Sequence, residues 1–162
     1  MRIGIIGLGN PLRRDDGIGL VLLDHIKKKM SNITCEHDID YIDAGIPGVK
    51  LIHYLPVYDM VILIDAMDFK GKPGEYVLST PDEMISKKNS KKVSTHEEDI
   101  LNVLKLAKDI NQYPKEVYIF GVQPNITSVG IGLSYELDKA LPSLLDALRR
   151  TILMLMQKKR EI

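Results

Sequence analysis

Two stretches, Arg2–Leu8 (RIGIIGL) and Met60–Asp65 (MVILID), are apolar without the regular polar breaks of a half-exposed strand. Strands buried on both faces read this way, and sheets covered on both faces are built from parallel strands joined by helical crossovers. Such a chain needs amphipathic helices between its strands, and the sequence supplies them. Residues 17–29 (GIGLVLLDHIKKK) place Ile18, Val21, Leu22 and Ile26 on one face. They end on Lys27, Lys28 and Lys29, which complement the negative C-terminus of a helix. Residues 96–110 (HEEDILNVLKLAKDI) likewise align Ile100, Leu101, Leu104 and Ala107.

The remaining segments fit the same alternation. A second strand is expected within 33–43 (ITCEHDIDYID), then a loop and a short helix ending near Pro56. Residues 71–79 read as an edge strand or hairpin arm, 87–95 as a polar basic loop, and 116–122 (EVYIFGV) as the last strand. A final helical segment covers 134–159, with Pro142 expected to kink or restart it because proline donates no backbone hydrogen bond. No repeat, linker or low-complexity tract divides the 162 residues. The expectation is one α/β domain, 1–162, with a twisted, mostly parallel sheet of about five strands and helices on both faces.

Charge and cysteine content narrow the partners. Lys plus Arg and Asp plus Glu each total 22, so net charge gives no support to nucleic acid as a partner. The single cysteine, Cys35, excludes an internal disulfide; its strand-like surroundings make it a structural thiol. No apolar run reaches the ~20 residues of a membrane span. The N-terminus is broken by Gly and Asn too soon for a signal peptide. A soluble, cytoplasmic monomer without a membrane partner is expected.

In a parallel α/β sheet ligands bind outside the carboxyl ends of the strands. Here those ends carry Asn10, Asp15 and Asp16, then Asp43 and Gly45, then Asp65 and Asp68, then Gln123 and Asn125. The collection is acidic and rich in amides, with Arg13 and Arg14 as the exceptions. "GLGNPLRRDDGIG" (7–19) opens like a dinucleotide loop, but Leu12 replaces the third glycine of that fingerprint. Asp15 and Asp16 would also repel a pyrophosphate at the helix start. Asp16 could instead cap the following helix. Asp65 ends a buried strand, where a carboxylate is costly unless paired. Thr95 and Glu98 have capping-box spacing, which puts His96 in a first helical turn where the helix dipole favours neutral imidazole. His25, His37 and His53 fall within regular elements and carry no assigned chemistry. Asp16, Asp65 and His96 could converge on one divalent metal, and such oxygen and nitrogen donors do not distinguish nickel from zinc.

The stretch "GLGNPLRRDDGIG" resembles the N-terminal signature of the hydrogenase maturation endopeptidases. "IDAGIPG", "LIDAMDF", "STHEEDI" and "FGVQPN" are similar to later motifs of that family, in the same order, and the likeness runs through "GLSYELDKALPSLL". Ala44 and Ile46 stand where the family's second motif has a more glycine-rich turn. The resemblance implies an endopeptidase that removes a C-terminal extension from the large-subunit precursor of a nickel–iron hydrogenase, after nickel insertion. It implies that Asp16, Asp65 and His96 are the metal-contacting site residues. The nickel would arrive on the substrate rather than reside in the enzyme. A metal-bound water, or one activated by Asp15 or Asp68, would attack the scissile carbonyl. The alternative is a nickel carrier for hydrogenase assembly that cleaves nothing. The lysines of "KKNSKK" are either a solvated face or a guide for an acidic partner surface.

Overall fold

The structure is a computed structural model describing residues 1–34, 36–88 and 95–158, the side chains of residues 87, 88 and 95–98 excepted. Cys35 lies outside the described residues, as do the centre of the basic loop and the last four residues. Five strands form one sheet: β1 (Arg2–Leu8), β2 (Asp38–Gly45), β3 (Met60–Ala66), β4 (Tyr76–Ser79) and β5 (Glu116–Val122). Their order is β2-β1-β3-β5-β4; β4 alone runs antiparallel, paired with β5 at one edge. The helices are α1 (Ile18–Met30), α2 (Leu51–Tyr54), α3 (Pro81–Lys88), α4 (Thr95–Asp109) and α5 (Tyr135–Gln157). This is the mostly parallel, two-sided α/β architecture that the apolar runs demanded. No described helix is long and apolar enough to cross a membrane.

The period of two along each strand divides the core. Ile3, Ile5, Met60, Ile62, Ile64, Phe120 and Val122 face α1 and α5, meeting Ile18, Leu22, Ile26, Leu148 and Ile152. Ile6, Leu8, Val61, Leu63, Val117 and Ile119 face the other way, onto Leu51, Leu55, Ile100, Leu104 and Ala107 of the α2–α4 side. A strand buried on both sides has no polar side chain to spare, which is why MVILID shows no alternation.

Helix α1 packs closely on the sheet at its first turn. A Cβ on Gly19 would overlap the carbonyl oxygens of Ile64 and Leu8, the ends of β3 and β1. At Gly19 the helix therefore packs directly on strand backbone, leaving no room for a side chain. Gly19→Ala is expected to cost at least about 2 kcal/mol, lowering Tm by roughly 6 °C, because the neighbouring atoms are backbone and cannot yield. Thermal unfolding by circular dichroism checks this; an unchanged Tm would mean that the helix tolerates displacement.

Several boundaries differ from the sequence reading. Strand β2 begins inside the expected 33–43 stretch, at Asp38, but runs on to Gly45, and His37 precedes it instead of lying in a regular element. Helix α3 occupies Pro81–Lys88, a stretch whose sequence shows no apolar stripe, and its last two residues belong to the stretch expected as a basic loop. Helix α5 runs through Pro142 without restarting. Its buried Leu137, Leu144, Leu148, Ile152 and Leu155 hold one continuous face against the sheet, which offsets the ~3 kcal/mol a mid-helix proline costs.

Candidate functional site

The chain runs from β1 to β2 on one side and continues on the other with β3, so strand order reverses between β1 and β3. A crevice opens outside the carboxyl ends at such a switch point. The loop after β1 enters it, turning at Gly9 with φ 137, a conformation that glycine alone takes readily. A Cβ there would overlap the carbonyl oxygen of Asp16, so the turn and the Asp16 backbone lie in contact. Gly9 N–H donates to the Gly45 carbonyl at 2.8 Å, tying this loop to the one after β2.

Asp15 and Asp16 sit together in a 3-10 turn, Arg14–Gly17, and point to different surroundings. Asp16 does not cap α1, whose N-cap is Gly17. One carboxylate oxygen of Asp16 accepts the Asn10 N–H at 2.9 Å, and the other has no hydrogen-bond partner among the described residues. Asp65, 4% exposed at the end of β3, accepts the N–H of Ala66 at 2.8 Å. Asp16 and Asp65 line the same small cavity, about 70 Å³, together with Gly9, Asn10, Arg13, Ile46 and Pro47. Two carboxylates from two strand ends thus share one space, an arrangement suited to a cation.

His96 belongs to the first turn of α4 by its backbone, as the capping-box spacing predicted; its side chain lies outside those described, as do those of Thr95 and Glu98. Among the described side chains Asp16 and Asp65 form a pair rather than a set of three metal donors.

Asp15 is fully buried and spoken for. Its Oδ1 accepts the Ser134 N–H at 2.6 Å, and its Oδ2 accepts Asn125 N–H, Ile126 N–H and Ser134 Oγ–H at 2.9, 2.8 and 2.7 Å. Burial opposes its ionisation, but these bonds outweigh that and hold the carboxyl below its ordinary value. This removes Asp15 as the base suggested by its place in the sequence. Its lone pairs are occupied, and its task is to fasten the loop after β5 onto the turn that carries Asp16. Sequence alone missed Ser134, although a serine just ahead of a helix was visible. It both caps α5 through Leu137 N–H and binds Asp15.

Asp68 lines a wider cavity of about 320 Å³ that shares Arg13 and Asp16 with the first. Lys70 donates to it from Nζ at 3.0 Å and from N–H at 3.1 Å, and Gln123 adds an amide bond at 3.2 Å. These bonds hold Asp68 below the usual carboxylate range, which weakens it as a base. Buried Gln123 also accepts the N–H groups of Phe69 and Gly71, so it shapes the loop after β3. Arg13 borders both cavities and donates from Nε to the Thr127 carbonyl at 3.0 Å. A larger cleft of about 450 Å³ between β4 and α5 holds none of the strand-end aspartates and is not the candidate site.

Residues 24–151 match the family model described as hydrogenase maturation protease. The chain belongs to the hydrogenase maturation protease family. Asp65 and His96 fall inside the matched region, and Asp16 precedes it. Over 155 residues the chain is 26% identical to the hydrogenase 2 maturation protease of Escherichia coli, covering 93% of each. It is 29% identical over 123 residues to the hydrogenase expression/formation protein HupD of Bradyrhizobium diazoefficiens, covering 76% of this chain but only 62% of that relative. Among solved structures, the hydrogenase maturating endopeptidase HybD from E. coli superposes with a TM-score of 0.70 at 28% identity, covering 93% of this chain and 94% of that one. The fold built here is thus shared with that solved structure.

Proposed function

We propose that this protein is an endopeptidase that removes the C-terminal extension of a nickel–iron hydrogenase large-subunit precursor after nickel insertion. The observation that carries the reading is the pairing of Asp16 and Asp65 in one cavity at the β1–β3 switch point. Family membership supplies the reaction class, and the pair supplies a means of sensing whether the substrate is ready. The nickel belongs to the substrate. Asp16 offers an uncommitted carboxylate oxygen to it, Asp65 is the second oxygen donor, and His96 is the nitrogen donor. A partial ligand set of this kind favours a metal already held by another protein over free metal in solution.

The reaction is hydrolysis: water adds to the scissile carbonyl carbon, the C–N bond breaks, and the departing amine nitrogen takes up a proton. The crevice positions the peptide beside the substrate's metal and brings Arg13 close to the same space. Purified protein mixed with full-length precursor, with and without nickel loaded, tests the proposal by intact-mass spectrometry. Loss of the extension from nickel-loaded precursor alone is expected. Absence of cleavage in both states, combined with tight nickel binding by the isolated protein, would establish the carrier instead.

A further inference from the structure

Every large apolar side chain exposed beyond 60% among the described residues lies on loops at the carboxyl end of the sheet or at the start of α5. They are Leu12 (61%), Ile46 (63%), Val49 (67%), Val129 (87%), Ile131 (84%) and Tyr135 (75%). Scattered surface apolar groups are ordinary, but a set of this size confined to one end of a fold marks an interaction surface. Its parts are held in place. Gly130 N–H donates to the Leu12 carbonyl at 2.9 Å and Arg14 N–H to the Gly130 carbonyl at 3.1 Å, so Leu12 is fixed beside Val129 and Ile131. The Asp15 bonds to Asn125, Ile126 and Ser134 anchor the same loop at both ends. On the opposite flank Ile46 lines the Asp16–Asp65 cavity, and Val49 follows it. The apolar groups therefore form two arcs on rigid loops, with paired carboxylates between them.

We propose that these arcs are the docking surface for the precursor, gripping apolar surface on either side of its metal centre before the metal is read. This rests on the protease reading above. The occupant follows from charge: a partner that covers the arcs also covers Asp16 and Asp65, so its centre must be one built to hold a cation. A second copy of this chain would set carboxylates against carboxylates, and an anionic lipid surface would face the same repulsion. A protein surface that surrounds a bound cation with apolar side chains matches both features. The fixed loops lose little freedom on binding, which favours affinity from a modest apolar area.

The test measures affinity separately from cleavage. Metal-free precursor, immobilised for biolayer interferometry, is titrated with wild type, with the triple variant Leu12→Ser/Val129→Ser/Ile131→Ser, and with Met154→Ser, a control at an exposed apolar position on α5. The triple variant is expected to bind at least about tenfold more weakly, as loss of central apolar contacts implies. Met154→Ser is expected to bind like wild type, and circular dichroism verifies that each variant is folded. Undiminished binding by the triple variant overturns the proposal, as does wild type failing to bind. So does sedimentation showing that the arcs mediate self-association while precursor affinity is unaffected. Binding by wild type that depends on the arcs, without cleavage of nickel-loaded precursor, would keep the docking surface and remove the protease reading.

Discussion

Asp16→Asn and Asp65→Asn, each made alone, will slow processing of nickel-loaded precursor by about 10²- to 10³-fold, the scale of losing one charged group at a reacting centre. Asparagine preserves shape and removes charge. At position 16 it can still accept the Asn10 N–H, so the turn is kept and stability is expected to change by less than about 1 kcal/mol. Mass-spectrometric rates set beside thermal melts separate the two effects. Full activity in either variant would refute a role for the pair in sensing the substrate's metal.

Asp15→Ala, one residue earlier, should behave in the opposite manner. It leaves three backbone N–H groups and the Ser134 hydroxyl without their acceptor in a fully buried position. The expected cost is about 3 kcal/mol or more, a fall in Tm of roughly 10 °C. The loop carrying Val129 and Ile131 would loosen with it, so precursor affinity should also fall. The pH dependence has a definite sign. Asp15 stays ionised to lower pH in the folded protein than in the unfolded chain, so its contribution is whole above the ordinary value of 3.8. That contribution is lost as pH falls through the folded value. Wild type should lose stability on acidification below about pH 4, and Asp15→Asn should show a flatter acid limb in denaturant titrations. An unaltered Tm in Asp15→Ala would show that the loop is held by other means.

The contrast between these neighbours measures how far sequence reasoning reaches. The parallel sheet was legible because burial on both faces erases the polar alternation of RIGIIGL and MVILID, a purely local signature. The helices 17–29 and 96–110 were legible from period and charge, and their boundaries shift by only one residue in α1 and α4. Helix α3 was missed although its signal was present. Thr80 and Glu83 form a reciprocal capping box, with Thr80 N–H donating to Glu83 at 2.7 Å and Glu83 N–H to Thr80 Oγ1 at 3.3 Å. Its short, polar sequence offered little apolar stripe to notice. The proline in α5 misled in the other direction, because burial along 23 residues outweighs one lost backbone bond.

The sequence by itself determined the fold class, the placing of the site at the carboxyl ends of the strands and the acidic character of those ends, since each follows from residue type at local spacing. The strand order that puts the switch point between β1 and β3 came from the folded sheet. Which acid faces the crevice was not local. Asp15 and Asp16 are chemically identical and adjacent. What separates their roles is Ser134, 119 positions from Asp15, closing over the turn and consuming the Asp15 lone pairs. Gathering Leu12 with Val129 and Ile131 required the same closure. Tertiary structure decided these points because buried hydrogen bonds across such separations exist only once the chain has folded.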